Sequence, residues 1–299
     1  MNTAIFAGVA LGLASLAAPI AATSAVPAAI AADPAPDAVL PAGMAALQIP
    51  SADGVMNAVL YTPSGPGPHP ALILFHGQPG NEQNLDLAQA VRRAGYAVLT
   101  LHYRGSWGSP GTFSYANATA DGINSVDWLM APEQMARFRI DKDRLVLAGH
   151  SVGGFVAMRA AAARPAVKAL MLIDAWHVDE TSLSRLRAPN GREAYVAAQG
   201  NSLNMLATTP TRLVDEILDA GTGFDLRGQA PALATRPVLV IAAEKGNGSH
   251  NHSIASSLRA SGNKQVEFVL MPTDHGFNDH RIALISTSLG WLDQLTRRP

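Results

Sequence analysis

The sequence predicts an α/β domain built on a mostly parallel β-sheet with helices on both faces. Between residues 71 and 295, short apolar runs of strand length alternate with longer stretches of helical periodicity. The apolar runs, such as residues 71–75, are continuous, which is typical of strands buried on both faces. Strands that alternate with helices are joined by right-handed crossovers, and such crossovers place parallel strands side by side.

The predicted elements begin with two strands at 46–49 and 55–62, an antiparallel pair whose turn contains Asp53-Gly54. A helix at 81–94 ends at Gly95, a common helix stop signal. The other predicted elements are strands at 71–75, 96–103, 145–148, 169–173, 238–242 and 266–271, and helices at 116–130, 153–163, 253–261 and about 279–295.

The alternation of strands and helices is interrupted at about residues 176–236. This segment has helical periodicity at 192–198 and 211–218 but no run typical of a strand. We interpret it as a helical cap insertion that lies over the C-terminal edge of the sheet.

The N-terminus differs from the rest of the chain. Residues 5–20 are apolar, no charged residue precedes Asp33, and Ala29-Ile30-Ala31 resembles a cleavage site. We predict an export signal at 1–31, a linker at 32–44 and a single domain at 45–299. The protein is then expected to be periplasmic or secreted, with no stable membrane span after cleavage. A disordered extension rich in Ala and Pro is the alternative, because no Lys or Arg precedes the apolar run.

Composition excludes several functional classes. The formal net charge is −1, which gives no electrostatic reason to expect a nucleic-acid partner. The sequence contains no Cys, so disulfides, thiolate metal sites and a cysteine nucleophile are all excluded.

The segment Gly149-His-Ser-Val-Gly153 follows a predicted strand and precedes a predicted helix. This is the pattern of a nucleophile elbow, a sharp turn that exposes a serine hydroxyl above the sheet edge. Glycines two residues before and after the serine avoid steric clashes in such a turn. We therefore predict Ser151 as the nucleophile.

A serine needs a base, and the base needs an acid to orient it. His275 follows the last predicted strand and is the predicted base, whereas His280 is a weaker candidate at the start of the next helix. Glu244 follows the strand at 238–242 and is the predicted acid. Asp174, at the end of the preceding strand, is the alternative because its side chain would emerge at the same sheet edge.

Two backbone N–H groups are predicted to stabilise an oxyanion, that of Val152 and that of Gln78 in the loop after residues 71–75. Pro79 in the same loop has no N–H group, which makes Gln78 the natural donor. Serine, histidine and backbone amides suffice for acyl transfer, so no cofactor or metal is expected.

These motifs resemble the α/β-hydrolase family over about residues 45–297. The resemblance rests on His76-Gly77, the elbow at Ser151 and Asp274-His-Gly-Phe277. Tyr103-Arg-Gly-Ser-Trp-Gly108 is similar to a loop of the prolyl-oligopeptidase-like and acylaminoacyl-peptidase-like branch. Peptidases of this branch commonly have an N-terminal propeller, and we expect none here because only a short stretch precedes the first predicted strand. Many members carry Asp in the acid loop at the position of Gly246, so this chain departs from the family pattern there.

The resemblance implies a serine hydrolase that cleaves a small-molecule carboxylic ester through an acyl-enzyme. The same residues could cleave amides or peptides. A non-catalytic binding protein on the same fold is a third hypothesis, whose only support is Gly246. We expect the substrate pocket to be lined from 176–236 and from the Ser106-Trp107 loop.

Overall fold

The computed structural model describes residues 26–52 and 54–297. In these residues one sheet has eight strands in the order β1-β2-β4-β3-β5-β6-β7-β8. The pairs β1–β2 and β2–β4 are antiparallel, and the remaining pairs are parallel. The predicted α/β class and its mostly parallel sheet are thereby confirmed. The strands are β1 (Gly43–Ser51), β2 (Gly54–Thr62), β3 (His69–Phe75), β4 (Ala97–Leu101), β5 (Ile140–His150), β6 (Val167–Ile173), β7 (Val238–Lys245) and β8 (Val266–Asp274).

Helices cover both faces of the sheet and bury two apolar clusters. The larger cluster lies under α3, α5, α9 and the segment between β6 and β7, and the smaller one lies under α2 and α10. Continuous apolar strands are therefore required, because each central strand is buried on both sides. The helices are α1 (Ala28–Ala31), α2 (Leu85–Arg93), α3 (Tyr115–Leu129), α4 (Pro132–Phe138), α5 (Val152–Ala163), α6 (Glu180–Arg187), α7 (Gly191–Gln199), α8 (Pro210–Ala220), α9 (Gly248–Ala260) and α10 (Arg281–Arg297).

The segment between β6 and β7, called the cap below, is helical as the sequence predicted. It contains α6, α7 and α8, followed by two 3-10 turns at Gly221–Phe224 and Leu226–Leu233, and none of its residues forms a strand. Helix α8 buries one apolar face, whereas α6 buries only Leu183. The apolar face of α8 made its region predictable from the sequence, whereas α6, with one buried side chain, has too weak an apolar pattern and was missed.

Most of the predicted export signal, residues 1–25, lies outside the described residues. The following helix α1 contacts α2, where the Arg93 side chain donates a hydrogen bond of 2.6 Å to the carbonyl of Ala29. Ile30 packs against the smaller apolar cluster. Within the described part of the chain, no helix is both long enough and apolar enough to cross a membrane.

Candidate active site

Ser151 lies at the turn between β5 and α5, in a backbone conformation that non-glycine residues rarely adopt. Its φ is 55° and its ψ is −122°. A Cβ atom on Gly149 would overlap the carbonyl of Gly153, and one on Gly153 would overlap the carbonyl of Phe75. Both glycines are therefore required for the sharp turn. The Ser151 amide donates to the carbonyl of Ile173 at 3.0 Å, which ties the turn to the end of β6.

His275 directly follows β8 and contacts a buried carboxylate. Its Nδ1 lies 2.5 Å from Oδ2 of Asp174, whose side chain is fully buried, while the imidazole is 42% exposed. Asp174 directly follows β6, and its φ of 44° turns the chain sharply at this point. Because Nδ1 faces the carboxylate, Nε2 is the ring nitrogen left to exchange a proton with another group.

The buried carboxylate of Asp174 accepts hydrogen bonds from β7, from the loop after β7 and from α9. Its Oδ1 accepts from the Ala243 amide at 2.9 Å and from the Asn251 side chain at 3.5 Å. Its Oδ2 accepts from the Asn247 amide at 2.9 Å. These donors replace the water that the carboxylate loses on burial, and they fix its orientation towards His275.

The contact between Asp174 and His275 corrects the prediction that Glu244 orients the imidazole. Strand β7 continues through Lys245, which pairs with Asp274, so Glu244 lies on the strand with its side chain exposed. The carboxylate that reaches His275 comes from the neighbouring strand β6, the alternative that the sequence left open.

Gly246 leaves the space that the carboxylate of Asp174, the residue after β6, occupies. A Cβ atom on Gly246 would overlap Oδ2 of Asp174. A side chain at this position would therefore occupy the space that the Asp174 carboxylate fills. The family carboxylate that is missing at Gly246 is thus replaced by the carboxylate of Asp174, which follows β6. Gly246 was the only sequence feature in favour of a non-catalytic protein, and this replacement accounts for it. The signal that could have identified Asp174 was this combination of a glycine in the acid loop and an aspartate after the preceding strand.

Asp274 and His280 form hydrogen bonds with neighbouring residues of the chain instead of with the His275 imidazole. The Asp274 carboxylate accepts hydrogen bonds from the amide and side chain of Asn278, so it stabilises the loop that contains His275. His280, the weaker candidate for the base, lies with its Nδ1 2.9 Å from Asp279 Oδ1.

Sequence reasoning missed His150, which supports the histidine loop. Its Nε2 donates to the backbone carbonyl of His275 at 2.8 Å, and the two rings are 4.6 Å apart. Burial lowers the pKa of His150 from 6.5 to about 4, so the ring is neutral at pH 7. His150, which precedes Ser151 in the elbow motif, therefore contacts the predicted base His275 across the sheet edge.

Val152 and the loop that contains Gln78, the two predicted oxyanion donors, adjoin Ser151. Helix α5 begins at Val152, and first-turn amides of a helix have no acceptor within the helix. The loop after β3 lies against Ser151, because a Cβ atom on Gly77 would be 2.8 Å from the Ser151 Cβ. The next residue of this loop is the half-buried Gln78. The donor roles of Val152 and Gln78 stay predictions.

Aromatic side chains from the core and the cap lie beside this loop. Trp176, the third residue after β6, donates its amide to the Ser151 carbonyl at 2.9 Å and stacks on Tyr115 with ring centroids 4.6 Å apart. Trp107 donates its indole N–H to the carbonyl of Pro79 at 2.8 Å. The regions predicted to line the pocket thus contact the turn at Ser151, called the nucleophile turn below, and the loop after β3 at residues 76–80, called the oxyanion loop below. Phe155 and Phe224 complete the aromatic cluster through edge-to-face contacts.

No group of three or more metal-ligating side chains is arranged to hold a metal ion in residues 26–52 and 54–297. The expectation that the protein needs no cofactor stays a prediction.

Comparison with known proteins supports the architecture. Residues 70–196 match a model of the α/β-hydrolase fold. Cutinase 2 of Thermobifida cellulosilytica is 28% identical over 141 residues, which cover 46% of this chain and 51% of that protein. Cutinase cut1 of Thermobifida fusca is also 28% identical over 141 residues, which cover 46% of this chain and 42% of that protein. The chain thus spans about half the length of these curated relatives.

Solved structures with the same fold include esterases and a peptidase. The thermophilic carboxylesterase EstE1, from a metagenomic library, superposes with a TM-score of 0.62 at 18% identity and covers 85% of this chain and 90% of its own. The acylaminoacyl peptidase of Pyrococcus horikoshii superposes with a TM-score of 0.62 at 15% identity, covering 84% of this chain and 41% of its own. The sheet topology, the matched model and these neighbours identify the chain as an α/β-hydrolase-fold protein.

Proposed function

We propose that this protein is a serine hydrolase that cleaves carboxylic esters through an acyl-enzyme. The observation that carries the proposal is the 2.5 Å contact between His275 Nδ1 and Asp174 Oδ2. A nucleophile turn alone is a motif, whereas an imidazole held by a buried carboxylate at the same sheet edge is the remaining part of a serine triad. In this proposal Ser151 is the nucleophile, His275 the base and Asp174 the acid.

The chemistry follows from these roles. Ser151 Oγ attacks the ester carbonyl carbon while its proton passes to His275 Nε2, and Asp174 stabilises the resulting imidazolium. The oxyanion receives hydrogen bonds from the Val152 and Gln78 amides. The imidazolium then returns the proton to the departing alkoxide, which leaves as an alcohol. Water attacks the acyl-enzyme with the same base and releases the carboxylic acid.

The names of the similar proteins support ester substrates over amide substrates in this proposal. The curated relatives are named cutinases, and several structural neighbours are named esterases. The half-buried Trp176 donates its amide to the Ser151 carbonyl, so its ring is an apolar surface near the site that could contact a small acyl group. Amide cleavage, which the named acylaminoacyl peptidase suggests, uses the same residues and is tested by comparing p-nitrophenyl esters with p-nitroanilides of the same acyl group.

We also propose that the protein is exported to the periplasm or secreted. The support is the uncharged apolar run at 5–20 and the small residues near Ala31. Cell fractionation and N-terminal sequencing of the mature chain test this proposal, and a full-length chain recovered in the cytosol would contradict it.

The primary test is covalent labelling with a fluorophosphonate, followed by peptide mass spectrometry. We expect one adduct on Ser151, no adduct in Ser151→Ala, and a labelling rate reduced at least about 100-fold in His275→Ala. Turnover of p-nitrophenyl esters should fall at least about 10⁴-fold in Ser151→Ala. A folded, monodisperse wild-type protein that is neither labelled nor active would favour the non-catalytic alternative.

A further inference from the structure

Tyr115, at the start of α3, is buried with its hydroxyl group against the oxyanion loop. The side chain is 1% exposed. Its hydroxyl donates to Oε1 of Gln78 at 2.8 Å and lies 3.1 Å from the hydroxyl of Tyr195 on the cap helix α7. Burial raises the pKa of Tyr115 well above 10, so the hydroxyl keeps its proton and stays a donor at neutral pH.

The side chain of Gln78 is held from two directions. Its Oε1 accepts from Tyr115, and its Nε2 lies 3.4 Å from Oε1 of Gln199 at the end of α7. A side chain amide with both ends bonded restricts rotation of its own residue. The backbone of Gln78 therefore has less freedom than that of an ordinary exposed loop residue.

Tyr115 is itself fixed in place by the cap. The carboxylate of Glu216 on α8 accepts from the Tyr115 amide at 2.9 Å and from the Ala116 amide at 2.7 Å, which caps the N-terminus of α3. The ring stacks on Trp176. The cap, helix α3 and the oxyanion loop therefore all contact the side chain or amide of Tyr115.

We propose that Tyr115 is a positioning residue for the oxyanion hole, acting through the side chain of Gln78 on the Gln78 backbone N–H. The inference rests on the proposed function, because it requires an oxyanion at Ser151. Oxyanion stabilisation depends on donors that are already oriented before charge develops, so a small displacement of one donor lowers kcat more than it weakens substrate binding.

The test removes only the hydroxyl, in Tyr115→Phe. We expect kcat for a p-nitrophenyl ester to fall about 10- to 100-fold and KM to change less than about 3-fold. Binding of an aryl trifluoromethyl ketone, which forms a hemiketal oxyanion with the serine, should weaken by the same factor as kcat/KM. A ground-state inhibitor such as the matching alcohol should bind with unchanged affinity.

Tyr96→Phe is the matched control. Tyr96 is also buried, and its hydroxyl donates to the Leu292 carbonyl at 3.2 Å within the smaller apolar cluster. Both variants remove a buried hydroxyl, which has two hydrogen-bond partners in Tyr115 and one in Tyr96. Both should therefore lower the melting temperature, Tyr115→Phe at least as much as Tyr96→Phe, but only Tyr115→Phe should lower kcat.

A double-mutant cycle tests the route through Gln78. Gln78→Ala keeps the backbone N–H and removes the side chain that Tyr115 contacts. If Tyr115 acts through that side chain, the double variant should be no slower than the slower single variant.

Additive losses in the cycle, or a Tyr115→Phe enzyme as fast as Tyr96→Phe, would overturn the positioning role while leaving the serine hydrolase proposal intact. A wild-type protein that fluorophosphonate does not label would overturn both.

Discussion

The nucleophile turn and the acid loop lie at the same edge of the sheet, but their geometry is determined in different ways. The turn at Ser151 is specified by glycines within five consecutive residues, whose missing side chains avoid overlap with nearby backbone. The acid depends on two residues that are distant in sequence, Asp174 after β6 and Gly246 after β7, whose atoms compete for one space.

This difference shows how a catalytic role can be exchanged between neighbouring strands. Parallel strands end at one edge, so the carboxylate that reaches His275 can come from either strand provided that the other leaves room. The nucleophile has no such alternative, because its strained backbone is a local property of the turn.

Among the substitutions that test this comparison of the two strands, the largest effect is expected from removing the acid. Asp174→Asn keeps the shape of the side chain but cannot stabilise the imidazolium or enforce the productive tautomer, so kcat should fall about 10³- to 10⁴-fold. Steady-state kinetics with a p-nitrophenyl ester measure the loss, and circular dichroism checks the fold. A loss below about 10-fold would show that another group orients His275.

A smaller loss is expected from Gly246→Ala, whose added Cβ overlaps Oδ2 of Asp174 and displaces the carboxylate from His275. We expect kcat to fall about 10- to 100-fold. Gly223→Ala is the control, because no atom lies within 4 Å of its Cβ position. Equal activities of the two variants would contradict the steric argument.

The competition for space also predicts a rescue. Asp174→Ala combined with Gly246→Asp places a carboxylate on β7 and vacates the space beside it. We expect this double variant to be at least about 10-fold faster than Asp174→Ala alone. A double variant no faster than the single one would mean that the space around His275 admits the acid from β6 only.

The nucleophile region should also lose stability at acidic pH. Burial lowers the pKa of His76 and of His150 from 6.5 to about 4, so their contribution to stability is complete above pH 6.5 and is lost as the pH falls towards 4. Protonation in the unfolded state of each of these two histidines should reduce the free energy of unfolding by about 2 kcal/mol at pH 5 relative to pH 7.5.

Urea denaturation at the two pH values measures this loss. His150→Asn should show a weaker pH dependence than the wild type, whereas His252→Asn, at an exposed site, should not. A wild-type free energy of unfolding that is equal at both pH values would contradict the assignment of neutral buried imidazoles.

The smallest effect is expected at Glu244. Its side chain is exposed on β7, so Glu244→Gln should change kcat less than about 2-fold. The same ester assay measures it. A loss comparable to that of Asp174→Asn would restore Glu244 as the acid and would reverse the comparison between the two strands.

Much of the architecture could be predicted from the sequence, because burial on both faces produces continuous apolar strands such as β3. The turn at Ser151 could be located because its signal is local. Helix α4 and helix α6 were missed, since each buries a single side chain and has almost no apolar period.

By itself, the sequence determined the α/β fold, the strand order along the chain and the turn that presents Ser151, because these depend on local periodicity and on glycines close in sequence. Only the tertiary structure decided which carboxylate contacts His275. It also placed His150 against the carbonyl of His275 and Tyr115 against Gln78. Those contacts join residues 37 to 125 positions apart. They depend on the packing of strand ends and cap helices in three dimensions, which no local pattern encodes.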